Sequence, residues 1–111
     1  MSAITSYHAH IYFDAARRED ARQLCERAGQ IFRVTVGRLH DKPVGPHPRG
    51  SCQLAFEPEV FGEVVPWLMA NRSGLTVLAH ANTGDNLKDH TEHVIWLGSS
   101  ETLNLAAFSK R

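Results

Sequence analysis

The chain predicts an α+β fold of the ferredoxin-like class: β-α-β-β-α-β, an antiparallel sheet with two helices on one face plus a C-terminal extra strand. Two observations carry this. Apolar residues alternate with polar ones in five short segments and recur at helical spacing in two longer ones. The segments also follow one another as strand, helix, strand, strand, helix, strand, strand. At 111 residues and 12.4 kDa the chain is expected to be one domain, 1–111, with a single core and no internal repeat or linker.

Residues 5–13, TSYHAHIYF, alternate so that Tyr7, Ala9, Ile11 and Phe13 share one face and His8, His10 and Tyr12 the other. Asp14 is placed to N-cap a helix over 15–28, where Ala21, Leu24, Cys25 and Ala28 form an apolar stripe and Gly29 is the expected stop. Phe32, Val34 and Val36 alternate with Arg33, Thr35 and Gly37 in a second strand. A Pro/Gly loop follows from His40 to Gly50.

The third strand places Cys52, Leu54 and Phe56 opposite Gln53 and Ala55. Pro58 can open the second helix, since a first-turn proline forfeits no intrahelical hydrogen bond. Phe61, Val64, Val65 and Leu68 recur at helical spacing, and Pro66 among them predicts a kink or restart. Asn71 to Gly74 end that helix. Residues 75–80 read as a fourth strand, Asn82–Asp85 as a polar turn and 93–97 as a fifth strand.

Composition excludes several function classes. Twelve basic residues balance twelve acidic ones, which leaves no electrostatic excess for nucleic acid. Arg17-Arg18 and Lys110-Arg111 read as solvated charges. No apolar stretch approaches the roughly 20 residues of a membrane span, and the N-terminus lacks a signal-peptide pattern. A cytoplasmic chain is expected, with Cys25 and Cys52 as reduced, buried thiols.

The seven histidines are the chemical signal. Imidazole is the commonest protein metal ligand and titrates near neutral pH, so clustering points to metal binding or proton transfer. In the split β-α-β order the first strand is expected between the fourth, antiparallel to it, and the third, parallel to it. That arrangement brings His8, His10, His47, His80 and the His90/His93 segment to one end of the open sheet face. The bland alternative is that His8 and His10 merely form the polar side of an amphipathic strand.

The segments YHAHIYFD (7–14), GRLHDKPVGPHPRGSCQLAF (37–56), VVPWLMANRSGLTVLAHANTGD (64–85) and DHTEHVIWLG (89–98) resemble the DOPA 4,5-dioxygenase family of small ring-cleaving enzymes. The resemblance spans nearly the whole chain and is weakest in the first helix and the last dozen residues. It implies a ferredoxin-like fold, cleavage of a catechol ring with molecular oxygen, and non-haem iron.

Extradiol cleavage needs a metal with open positions, commonly Fe(II) held by two histidines and a carboxylate. No carboxylate lies on the polar strand face, so His8, His10 and His80 are the first-choice ligands. Glu92 is the substitute third ligand, and His93 or His47 is a further replacement. Another divalent metal can occupy such a site. His47 and His90 suit the acid/base steps; Arg49 or Arg72 can hold a substrate carboxylate; Tyr12 and Trp96 can flank an aromatic ring.

The expected protein is thus an iron-dependent, extradiol-type dioxygenase acting on a catechol and oxygen. It is also expected to be a homodimer in which a second copy covers the open sheet face. Two alternatives stay open: a non-catalytic module binding a metal or a small aromatic ligand, and a cofactor-free aromatic monooxygenase.

Overall fold

The computed structural model describes residues 4–108; Lys110-Arg111 lie outside the described residues. Five strands form one antiparallel sheet: β1 (Ser6–Phe13), β2 (Thr35–Val36), β3 (Gly50–Phe56), β4 (Thr76–Asn82) and β5 (Val94–Leu97), in the order β2-β3-β1-β4-β5. The two long helices are α1 (Arg18–Ile31) and α2 (Phe61–Asn71), each entered through a short 3-10 turn. The ferredoxin-like α+β expectation therefore holds, fifth strand included.

The core forms where alternation meets helical periodicity. Ala9, Ile11 and Phe13 of β1 pack with Leu54 and Phe56 of β3, Val77 and Ala79 of β4, the α1 stripe Ala21/Leu24/Cys25/Ala28, and Val64, Val65 and Leu68 of α2. The α1 stripe is the one that the sequence predicts. Tyr7 packs at its margin against Phe61, with ring centroids 4.6 Å apart. Cys25 and Cys52 are free and buried in this core. No helix among the described residues is long and apolar enough to cross a membrane.

Several local expectations are corrected. β1 and β3 are antiparallel, with Tyr7 opposite Phe56 and Phe13 opposite Gly50. In a split β-α-β unit the crossover joins β1 to β2, and β3 inserts between them running the other way. Helix α1 runs through Gly29 to Ile31, because the glycine serves close approach: a Cβ there would stand 2.7 Å from Val36 Cγ2. Asp14 makes no side-chain cap and accepts from Arg49 Nη1 at 3.0 Å instead.

The second strand shrinks to Thr35–Val36. Pro66 lies inside α2 without ending it; the preceding 3-10 turn, opened by Pro58, starts the helical run three residues before α2 and leaves the proline near the middle of that run. Two short elements had no clear sequence signal. One is α3 (Asn86–Asp89), capped by the Asp85 carboxylate on Lys88 N–H, and the other is a 3-10 turn at Leu105–Phe108.

Candidate active site

Cross-strand neighbours share a sheet face, so the register dictates the site. His8 stands opposite His80 and Ala55, His10 opposite Leu78 and Gln53, and Tyr12 opposite Thr76 and Ser51. These residues form the face turned away from α1 and α2. A one-residue slip of β1 would exchange the histidines for Ala9 and Ile11.

This face is not bare. The segment after β2 follows β3, exchanging hydrogen bonds between His40 and Ser51 at 2.9 Å, and then turns back over the sheet. Its entry to β3 lies beside the end of β1, not its start, because the strands are antiparallel. The return nevertheless brings His47 to His10, with ring centroids 4.0 Å apart. From the other side, α3 brings His90 within 4.1 Å of the His80 ring, and Phe108 packs on His90 at 4.7 Å. The Asn104 N–H bonds the Pro46 carbonyl at 2.8 Å and ties the C-terminal segment to the His47 loop.

His10 and His80 are almost fully buried, and their Nε2 atoms are 3.1 Å apart. The His80 Nδ1–H donates to the Ala81 carbonyl at 2.9 Å, which leaves its Nε2 with a lone pair facing His10. With His8 they form a group whose ligand nitrogens all lie within 4.8 Å of one another. Two nitrogens each about 2.1 Å from a common ion and at right angles would stand about 3.0 Å apart, so the His10–His80 spacing matches that of two ligands on one metal. The fixed Nδ1 is the usual outer support of a metal-binding imidazole.

Electrostatics agree with that donor set. Burial, followed by the proximity of other imidazoles, holds His10 well below the ordinary histidine range and lowers His47. Burial also lowers His80 to about 4, partly opposed by its bond to Ala81. His8 is lowered for the same first reason, with His90 adding to it. The cluster is therefore neutral at neutral pH and offers lone pairs.

No carboxylate joins this group among the described residues. Glu92 is exposed and stands outside the trio, on a groove that it shares with His80, His93 and Ile95. Asp89 is buried, but its oxygens are taken by Thr83 N–H, Thr83 Oγ1–H and His93 Nδ1 at 2.7, 2.7 and 2.9 Å. His93 is thereby turned to Asp89 and stands outside the trio. Glu92 and His93 do not replace a ligand in this arrangement.

Next to His10 and His47 lies a cavity of about 260 Å³ whose walls include Arg38, His40, Ser51 and Gln53. Arg33, expected on this face, is exposed and takes no part, because β2 is too short to carry it there. Arg38 was missed in the sequence; it lies in the loop-entry segment, where alternation no longer applies.

Arg72 does not join the site. It lies at the end of α2 in the helix layer, where its Nη1 donates to the Leu75 carbonyl at 2.8 Å. Arg49 already forks onto Glu101 at 3.1 and 2.6 Å, and its guanidinium carbon stands 6.0 Å from the Tyr12 ring centre. Tyr12 itself is buried, its hydroxyl 2.7 Å from His47 Nδ1, and Trp96 stands 6.1 Å from its ring.

The profile of the Dopa 4,5-dioxygenase family matches residues 7–107, which takes in every histidine of this site. The chain belongs to that family. A DOPA 4,5-dioxygenase from Amanita muscaria is 36% identical over 95% of this chain and 50% of its own length. A 21.2 kDa protein of Botryotinia fuckeliana, uncharacterized, is 35% identical over 91% of this chain and 62% of its own. The chain thus spans between half and two thirds of these curated relatives. The crystal structure of a candidate dioxygenase from Nostoc punctiforme superposes with a TM-score of 0.92 at 50% identity, over 95% of this chain and 91% of that one.

Proposed function

We propose that this family member is a non-haem, iron-dependent dioxygenase that opens the aromatic ring of a catechol such as DOPA with molecular oxygen, in the extradiol manner. The observation that carries the reading is the trio His8, His10 and His80: three neutral imidazoles with ligand nitrogens within 4.8 Å of one another, of which His10 also lines the neighbouring cavity. A non-catalytic binding module would need the trio but not the two further histidines packed against it.

His8, His10 and His80 would hold the ion. Iron bound there supplies open coordination positions that bring a catechol and oxygen together. The chain's own residues do the rest. His47 packs on His10 and His90 on His80, with their own ring centroids 6.3 Å apart, and both are positioned for the hydrogen-bonding and proton-transfer steps of ring opening. The His47 loop and the C-terminal segment shield the reacting groups from water.

A substrate carboxylate needs a guanidinium with free donors. Arg49 is committed to Glu101 and Asp14, whereas Arg38 lies in the cavity wall with no hydrogen bond or ion pair to another described residue. Arg38 therefore takes that role in our reading. Tyr12, buried with its hydroxyl on His47 Nδ1, reaches the site through that residue.

A homodimer in the cytoplasm completes the reading. The chain's own loops already bury His10, Tyr12 and His80, so support for a second copy moves to the sheet edges, where Val36 on β2 and Ile95 on β5 are exposed.

Anaerobic Fe(II) loading followed by oxygen-electrode measurements against a panel of catechols tests the function. The expected result is uptake of one oxygen molecule per catechol, a product heavier than its substrate by two oxygen atoms, and loss of turnover on chelation. Absence of uptake with every catechol, or full activity after chelation, would overturn it.

A further inference from the structure

We infer that His47 and His90 enter the reaction in opposite roles: Tyr12 holds His47 as a fixed hydrogen-bond donor, while His90 is the one proton carrier. The reaction is that of the proposed dioxygenase, so the inference rests on that reading. The assignment itself rests on two hydrogen bonds.

The first bond is Tyr12 Oη to His47 Nδ1 at 2.7 Å, between two buried side chains. Among the described residues the phenol oxygen has no other polar partner. If His47 Nδ1 carried the proton, the phenol O–H would be a buried donor with no acceptor, an arrangement native interiors avoid. If the phenol donates, both groups are satisfied. His47 then carries its own proton on Nε2.

The second bond runs from His90 Nδ1 to the Asn86 carbonyl at 2.7 Å. A carbonyl oxygen only accepts, so Nδ1 carries the proton and Nε2 is left with the lone pair. The ring itself lies between His80 and Phe108. The two imidazoles therefore present opposite tautomers: a donor at His47 and an acceptor at His90.

The chemistry follows from what each can do without leaving a charged remnant. A neutral imidazole that gave up its Nε2 proton would become an imidazolate, and Tyr12 occupies the nitrogen through which His47 would otherwise be reprotonated. His47 Nε2–H therefore stabilises negative charge developing on a substrate oxygen through a hydrogen bond that it keeps. His90 can take a catechol proton: the O–H bond breaks, an N–H bond forms at Nε2, and catecholate and imidazolium result. The same proton returns to a product oxygen after ring opening, which restores His90. Tyr12 is a positioning residue, acting only through His47.

The test has two arms. Long-range 1H–15N correlation spectra of the metal-free protein, with labelled histidine, should show His47 protonated at Nε2 and His90 at Nδ1; Tyr12→Phe should shift the His47 Nδ1 resonance to that of an unbonded acceptor. In the iron-loaded enzyme, His47→Ala should lower turnover by about 100- to 1,000-fold. His47→Gln, which can donate but cannot shuttle a proton, should recover most of that loss with KM little changed. His90→Gln should stay low, by about 100- to 10,000-fold. A wild-type His47 protonated at Nδ1, or a folded, metal-replete His47→Gln as deficient as His47→Ala, overturns the inference. A wild type that never consumes oxygen would instead sink the dioxygenase reading, and the metal-free spectra would then decide the tautomers by themselves.

Discussion

His8 and His80 are direct cross-strand partners in the β1–β4 ladder, seventy-two positions apart in sequence and opposite one another in space. Their rings, with centroids 5.3 Å apart, and the His10 ring belong to adjacent central strands, so the backbone ladder rather than a mobile loop sets their spacing. Sites built on strands hold ligand geometry more tightly than sites built on loops.

His80→Ala and His8→Ala should each weaken Fe(II) binding while leaving a folded domain, because both side chains lie on the face away from the apolar core. Anaerobic titration calorimetry with a parallel thermal melt separates the two effects. Unchanged stoichiometry and affinity in both variants would remove the pair from the metal site.

Arg38→Ala should raise KM for a carboxylate-bearing catechol by about tenfold or more, a charge-assisted contact being worth about 1.5–3 kcal/mol, and leave KM for catechol itself nearly unchanged. Steady-state oxygen uptake with the two substrates makes the comparison. Equal effects on both would assign the carboxylate elsewhere.

The metal-free protein should lose stability as pH falls. His80 and His47 are each lowered to about 4 in the folded chain, chiefly by burial, against an ordinary value of 6.5. Between those values the unfolded chain binds more protons than the folded one, so unfolding free energy rises with pH. The stability is fully present above pH 6.5 and is lost progressively as pH drops through 4. Urea midpoints measured from pH 8 to pH 4 check this; a flat profile would show that the imidazoles protonate freely in the folded state.

Gly50→Ala should cost about 1–3 kcal/mol through overpacking. A Cβ at Gly50 would stand 2.7 Å from Phe13 Cε1 and 3.2 Å from the His40 carbonyl oxygen, where the loop enters β3. Denaturant unfolding gives the loss. A wild-type midpoint would mean that the Phe13 ring yields without penalty.

Residue patterning along the chain was enough to say which side chains face the core and which face away. Alternation in TSYHAHIYF separated Ala9, Ile11 and Phe13 from His8, His10 and Tyr12, and helical spacing selected the buried stripe of α1, because both patterns are local consequences of backbone geometry. It also carried the family's ordered motifs. Which distant groups meet depends instead on strand pairing and loop path. Antiparallel pairing of β1 with β3 moved the His47 loop to the far end of β1, and the fold of that loop brought it back over His10. Glu101 and Asp14 hold the Arg49 guanidinium, Arg38 lines the cavity beside His10, and Thr83 and His93 take up the Asp89 carboxylate. Loop paths and side-chain hydrogen bonds depend on partners remote in sequence, and no local periodicity encodes them.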